Sequence, residues 1–433
     1  MLNKPAILGG KPTLDKPLPP YNSIGREEIG AINRLLKSGK DLSGFLGRGG
    51  EKFLGGPYVK KLENDFEKKF GVNYAVSFNS ATTALQAAVA ALGIGPGDQV
   101  ITSPFTMPAT ATAILFNNAV PVFADIDPKT YCLSAESIAK KITKKTKAIL
   151  IVNIFGGTPD YVPILKLAKK HNLKIIEDSA QAPGANYRGK FAGTIGDIGV
   201  YSFNVHKVIQ VGEGGMMVTN NKRYAYRAQL MRNHGEAVMD DVWEKEPKTR
   251  ELIAGNNFRL TELQAAVMAE QFKKLDKLNN QRIMLADYLT KKLKKFSWLE
   301  PASVLPNSKH VYYLYPIKFF SGKLGISRKT FAKAMEAEGF KLAEGYQKPI
   351  YLMPIYQKKR IYERSQFPFV SKEFSQNISY KKGDCPVAER MFEKEFLTTT
   401  LCQPPKNKAH IDLFIKALQK IGDSAGLLKK YEK

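Results

Sequence analysis

Lys207 is the side chain in this 433-residue sequence best placed for nucleophilic chemistry. It ends the run Ser202-Phe203-Asn204-Val205-His206-Lys207, just beyond a strand-like segment and ahead of the turn Gly212-Glu213-Gly214-Gly215. A lysine desolvated at such a position can release its proton and attack a carbonyl. Upstream, the run Glu177-Asp178-Ser179-Ala180-Gln181 leaves a carboxylate at the end of a buried strand, either as a structural cap or as the electrostatic partner of a cation. Further upstream, Asn79-Ser80-Ala81-Thr82-Thr83 leads small hydroxyl residues into an Ala-rich helix. Such a helix start is an N-cap and also a seat for phosphate. An amine, a carboxylate and an anion seat together match one cofactor, pyridoxal phosphate. Its aldehyde takes a lysine, its phosphate takes a cradle, and its pyridine nitrogen is kept protonated by a carboxylate.

These groups need a scaffold, and the sequence supplies one. Tyr74–Phe78, Gln99–Thr102, Val120–Ala124, Ala148–Ile154 and Lys174–Glu177 are short apolar runs bounded by Gly, Pro, Asn or Asp, the pattern of strands buried on both faces. Between them Thr83–Leu92, Met107–Asn117, Ser134–Thr143 and Val162–His171 have helical spacing. Alternation of this kind predicts an α/β domain with a mainly parallel sheet covered by helices on both faces. Ligands of such sheets bind where the strands end, where the three groups fall. Gly199–Asn204 and Gly214–Thr219 are too close for a crossover helix and read as neighbouring strands. Thr261–Tyr288 is a long amphipathic stretch that could link two domains, with Thr261 as its N-cap. Tyr312–Phe319 followed by Lys329–Glu338 predicts a smaller C-terminal α+β domain. The expected division is residues 1–275 and 276–433. Lys358–Lys382 reads as an irregular excursion.

Composition excludes several classes. The length suggests two or three domains, and 43% hydrophobic with 24% charged residues is an ordinary globular balance. The net charge of +26 invites a nucleic-acid reading. However, the basic residues comprise 52 Lys and only 14 Arg, whereas planar phosphate and base-edge recognition favours Arg. No dense basic block forms, so the charge reads as a solvated lysine surface without nucleic acid as partner. Cys132, Cys385 and Cys402 are odd in number and far apart, which argues against a disulfide framework or a structural zinc site and predicts no metal. Glycines and prolines interrupt the N-terminal segment and no run of 18 apolar residues occurs, so the expectation is a cytoplasmic protein without membrane contact.

The sequence resembles the DegT/DnrJ/EryC1/StrS family of pyridoxal-phosphate-dependent sugar aminotransferases, which have the fold type I transferase architecture. The likeness rests on Glu63–Phe70, Ser80–Leu85, Glu177–Ala182, Gly196–Gly215, Arg232–Gly235, Gly255–Ala266 and the helix after Pro405. The serine, phenylalanine and lysine of Ser202–Lys207, followed by Gly-Glu-Gly-Gly, are its most specific part. The resemblance implies that Lys207 is joined to the cofactor aldehyde and carries protons between substrate and cofactor carbons. It implies that Asp178 pairs with the pyridine nitrogen, Gln181 with the ring hydroxyl, and that Ala180 packs on the ring. Ser80, Ala81, Thr82 and Ser202 would hold the phosphate. Asn257, in Gly255–Arg259, would reach the phosphate of a neighbouring subunit, so a homodimer with shared active sites is expected. Arg259 would face the amino donor, and His206 would form a wall of the pocket.

Two departures from the family pattern stand out. Met107 occupies the position of a ring-stacking aromatic, with Phe105 two residues earlier as the alternative, and Ala81 stands where glycine is frequent. The activity implied is transfer of an amino group from glutamate or glutamine to a keto sugar, nucleotide-linked or not, or to a keto-cyclitol, the cofactor alternating between pyridoxal and pyridoxamine phosphate. A pyridoxamine-dependent sugar dehydratase of the same fold is the alternative. A related branch has histidine in place of the lysine, and the presence of Lys207 favours transamination. A non-catalytic basic protein binding nucleic acid is the second alternative. Ser43–Gly56, Tyr187–Ala192 and Lys341–Tyr351 are the expected acceptor-contacting loops.

Overall fold

The computed structural model describes residues 4–235, 245, 250–372 and 378–432. Seven strands form the main sheet: β1 (Tyr74–Phe78), β2 (Gln99–Thr102), β3 (Val120–Phe123), β4 (Thr146–Val152), β5 (Lys174–Asp178), β6 (Ile198–Ser202) and β7 (Gly215–Thr219). Their order is β1-β7-β6-β5-β4-β2-β3. Strands β6, β5, β4, β2 and β3 run parallel, while β7 is antiparallel to both its neighbours, β1 and β6. The continuous apolar runs follow from burial on both faces. In β4, Ala148, Leu150 and Val152 enter one core with β1's Val76 and Phe78, while Ile149 and Ile151 enter a second core on the opposite face. The first core is closed by α3 (Ala81–Ala91), α4 (Pro108–Leu115) and α7 (Lys222–Arg232), the second by α5 (Ala135–Lys141) and α6 (Tyr161–Lys170). Over β1, β6 and β7 that second face is covered by α2 (Pro57–Phe70) and α8 (Glu262–Leu293), through Phe66, Met268 and Leu275.

The sequence places these elements within a few residues of their observed ends. Ser80 caps α3 by accepting the Thr83 N–H at 3.1 Å, so this helix begins two residues before the predicted start. Thr261 and Gln264 form a capping box at the head of α8, as the N-cap reading of Thr261 anticipates. The run Tyr312–Phe319 is strand only from Tyr315, because Tyr312 adopts a left-handed conformation (φ 50°) that breaks extended pairing.

A second, antiparallel sheet joins Leu299–Pro301, Tyr315–Phe319, Phe396–Thr399 and Ala343–Glu344 in that order. Its core takes Leu285, Leu289 and Leu293 from the last turns of α8. The long helix therefore spans both cores, and the 275/276 boundary falls within it. The N-terminal Ile7, Leu8, Leu14 and Leu18 pack on this second core, held by the buried carboxylate of Glu338, which accepts the N–H groups of Ala6 at 2.8 Å and Thr13 at 2.9 Å. The excursion after residue 358 ends against the main sheet: the Tyr380 hydroxyl donates to the Pro121 carbonyl at 2.7 Å, covering the outer strand β3. No helix among the described residues is long and apolar enough to cross a membrane.

Candidate functional site

A cleft of about 380 Å³ opens at the carboxyl ends of the parallel strands. Five strand ends contribute: Ser80, Ala81 and Thr82 follow β1, Thr106 and Met107 follow β2, Val152 closes β4, Asp178 closes β5 and Ser202 closes β6. Lys207 and His206 line it from the loop between β6 and β7, and Ala180 and Gln181 from the turn after β5.

Alternation along β5 separates two adjacent carboxylates into different jobs. Glu177, fully buried, faces away from the cleft and accepts from the Tyr161 hydroxyl at 2.6 Å and from the N–H groups of Gly193, Ile195 and Gly196 at 2.6–2.7 Å. Asp178 faces the cleft, accepting the Thr110 hydroxyl at 2.8 Å and the Ala180 N–H at 3.2 Å. Burial raises the Asp178 carboxyl above its ordinary value, while these donors and the positive charge of Lys207 oppose the rise.

The Lys207 amine lies 4.6 Å from the centre of the Tyr313 ring. Burial pulls its pKa down to about 8, against the upward pull of Asp178 and Glu213. About a tenth of the amine is therefore unprotonated at pH 7, far more than for a free lysine, as a nucleophile or proton acceptor requires. The loop that carries it is tied as a hairpin: Phe203 and Val205 N–H groups donate to the carbonyls of Gly214 at 2.9 Å and Gly212 at 2.8 Å. The Asn204 side chain donates to Glu213 at 2.9 Å.

The start of α3 is an open anion seat. The N–H groups of Ala81 and Thr82 have no acceptor among the described residues, as expected for the first turn of a helix. Gly215 keeps it accessible, since a Cβ there would meet Ala81 N at 2.6 Å and Ser80 C and O at 2.7 Å. Ser202, at the end of the neighbouring strand, adds a second hydroxyl to the cleft. This donor set, an unpaired helix terminus beside a carboxylate and a deprotonatable lysine, fits pyridoxal phosphate.

Other expected residues fall as follows. Gln181 accepts the Phe155 N–H and donates to the Tyr346 hydroxyl, both at 2.8 Å. Met107 is 44% exposed and lines the cleft, whereas Phe105 is fully buried among Phe155, Tyr346 and Phe396. Asn257 and Arg259 do not line the cleft of this chain. Asn257 is exposed on a short strand (Ala254–Asn257) paired with Asn233–Gly235, and the Arg259 guanidinium lies 2.6 Å from His234 Nε2. Of the three expected acceptor loops, Lys341–Tyr351 sends Tyr346 into the cleft. Tyr187–Ala192 forms part of a small hairpin that pairs with Ser308–Lys309, and Leu46 and Phe53 of Ser43–Gly56 accept from the Asn233 side chain. Neither of these loops reaches the cleft of this chain.

Sequence reasoning passed over Thr110, Tyr313, Tyr346 and Glu213. For Glu213 a signal existed, since the only acidic residue in a Gly-rich turn facing the lysine is a candidate charge partner. Thr110, one helical turn after Thr106, has no such signal, because its partner is reached only across the sheet.

Comparison with known proteins adds an independent line. The DegT/DnrJ/EryC1/StrS aminotransferase family matches residues 47–395. A GDP-perosamine synthase of Caulobacter vibrioides is 35% identical over 302 residues, covering 70% of this chain and 79% of its own length. An L-glutamine:2-deoxy-scyllo-inosose aminotransferase of Streptoalloteichus tenebrarius is 32% identical over 400 residues, covering 89% of this chain and 90% of its own. Among solved structures, an aminotransferase from Psychrobacter cryohalolentis aligns with a TM-score of 0.81 at 29% identity, covering 95% of this chain and all of that one.

Proposed function

We propose that this chain, which belongs to the DegT/DnrJ/EryC1/StrS aminotransferase family, moves an amino group from glutamate or glutamine to a keto sugar or keto-cyclitol with pyridoxal phosphate as cofactor. The observation that carries this reading is the convergence in one cleft of Lys207, Asp178 and the open N-terminus of α3. The named relatives act on a nucleotide-linked sugar in one case and a cyclitol in the other, which supports both acceptor classes.

When bound, pyridoxal phosphate supplies an electron-accepting ring that acidifies the hydrogen on the carbon bearing the amine. Lys207 takes that hydrogen and returns it on the other side of the exchange, and its amine of pKa about 8 suits both directions of transfer. Asp178, held by Thr110 and the Ala180 N–H, presents a negative charge to the pyridine nitrogen. Ala81 and Thr82 offer N–H groups, and Ser80 and Ser202 hydroxyls, to the phosphate. Gln181, held by Tyr346, would meet the ring hydroxyl, and Ala180 and Met107 would pack against the ring. His206 stands at the rim of the cleft, where it would meet substrate. The exposure of Asn257 outside the cleft supports its delivery, with Arg259, to the site of a second copy in a homodimer. The cytoplasm, with soluble donor and acceptor, is the proposed compartment.

The test is direct. The purified protein supplied with the cofactor should be yellow, should lose that colour on borohydride treatment with the cofactor mass fixed on the Lys207 peptide, and should form an amino sugar or aminocyclitol from a panel of keto acceptors with glutamine or glutamate. Lys207→Ala should abolish both the reducible link and the transfer. Colourless protein that takes up no cofactor, or a product that has lost water and gained no amine, refutes the assignment.

A further inference from the structure

Arg282, in the middle of α8, is fully buried and has no carboxylate partner among the described residues. A guanidinium withdrawn from water without a counter-charge carries a substantial desolvation cost, so its retention points to a specific job. Its contacts indicate which. One Nη donates to the carbonyls of Tyr313 at 3.1 Å and Tyr312 at 3.3 Å. Its guanidinium carbon lies 4.7 Å from the centre of the Tyr21 ring, and Nε and the other Nη have no acceptor among the described residues. The two tyrosines then converge on the lysine loop. The Tyr313 ring lies 4.6 Å from Lys207 Nζ, and the Tyr21 hydroxyl donates to the carbonyl of Val208, the next residue after Lys207.

We infer that Arg282 is a positioning residue for Lys207, closing a circuit Lys207, Tyr313, Arg282, Tyr21, Val208 that fixes both the amine and the backbone beside it. One arm sets the height of the Tyr313 ring against the amine. Gln403 reinforces it, donating to the same Tyr313 carbonyl at 3.0 Å. The other arm runs through an N-terminal strap. Tyr21 begins it, and Gln271 of α8 continues it by donating to the Ser23 carbonyl at 2.8 Å and accepting the Gln210 N–H at 3.2 Å. The strap and the lysine loop are thus tied to the same helix, and Arg282 is the point where the two arms meet. The inference rests on Lys207 being the working lysine.

The consequence is a protected amine. Asp178 from β5, Glu213 from the same loop, Tyr313 and Tyr346 from the second sheet's side, and His206 are the titratable groups that face the cleft around it. Loosening the circuit leaves all of these in place and admits water to the amine, which raises its pKa toward that of a free lysine.

The full chain, stripped of cofactor, is labelled with a lysine-selective acylating reagent across a pH series, and modification of the Lys207 peptide is quantified by mass spectrometry. Arg282→Met and Tyr21→Phe should each raise the Lys207 midpoint by about half a pH unit or more, with Arg282→Lys between wild type and Arg282→Met. In the reconstituted enzyme the same variants should lower kcat about tenfold while KM for the amino donor changes less than about twofold. Tyr21→Phe removes a single hydroxyl and keeps the test available if Arg282→Met fails to fold. A Lys207 midpoint that stays at the wild-type value in folded Tyr21→Phe and Arg282→Lys overturns the inference. If Lys207→Ala retains transfer, the underlying reading fails instead, and the two failures are distinguishable.

Discussion

Replacing Thr110 by Val removes one hydroxyl and almost no volume, so it isolates the hydrogen bond that holds Asp178. Thr110 Oγ1 donates to Asp178 Oδ2 at 2.8 Å inside the buried cleft wall, and because its proton is committed there it accepts from the Thr106 hydroxyl at 3.1 Å. A hydrogen bond to a charged group contributes about 1.5–3 kcal/mol. With about 1.4 kcal/mol per pH unit, its loss raises the Asp178 pKa by about 1–2 units. The direction is fixed: burial already raises this carboxyl, Thr110 lowers it, and the variant loses the lowering contribution. In the proposed reaction the carboxylate is the form that serves the pyridine nitrogen. The acid limb of the pH–rate profile should therefore move to higher pH by about 1–2 units, with up to about tenfold loss in rate one unit below the new midpoint and recovery on the alkaline side. Thr110→Ser, which keeps the hydroxyl, should restore the limb. The assay is the rate of the donor half-reaction, followed by cofactor absorbance between pH 5 and 9. An acid limb of Thr110→Val that overlays wild type within about 0.3 unit refutes the view that Thr110 tunes Asp178.

Two further outcomes are expected. Gly215→Ala drives a Cβ to 2.6 Å from Ala81 N, against backbone that cannot give way, so cofactor affinity measured by spectroscopic titration should fall at least about tenfold; affinity equal to wild type would mean that the start of α3 is not the phosphate seat. Glu177→Gln replaces one acceptor oxygen with an amide donor facing N–H groups that already donate, which should lower stability by about 2–4 kcal/mol in denaturant melts, whereas an unchanged midpoint would show that the carboxylate is dispensable to the turn after β5.

The parallel sheet was legible because strands buried on both faces must be apolar throughout, and β4 and β5 read that way residue by residue. Lys207, Asp178 and the Ser80 helix start were legible for a related reason. Each lies within a few residues of a strand end, and in a parallel sheet those ends gather at one edge. The choice between Met107 and Phe105 was not legible, since both lie in the irregular turn beyond β2, where strand alternation no longer fixes which way a side chain faces, and only packing against Phe155 and Phe396 shows which is core. Asn257 and Arg259 fall outside the cleft of their own chain, so the roles proposed for them need a second copy.

The +26 charge, the most conspicuous feature of the composition, is peripheral to this chemistry. The sequence determined the local parts: strand and helix periods, the caps at Ser80 and Thr261, and the residue types that meet in the cleft. Tertiary structure decided what those parts do to one another. The Lys207 amine is brought to a pKa of about 8 by burial, and its nearest partners come from far along the chain, with Thr110 held against Asp178 across the sheet and Tyr313 fixed over the amine by Arg282. Desolvation and contacts between distant segments have no local signature, because they arise only when separate elements close over the same few ångströms of space.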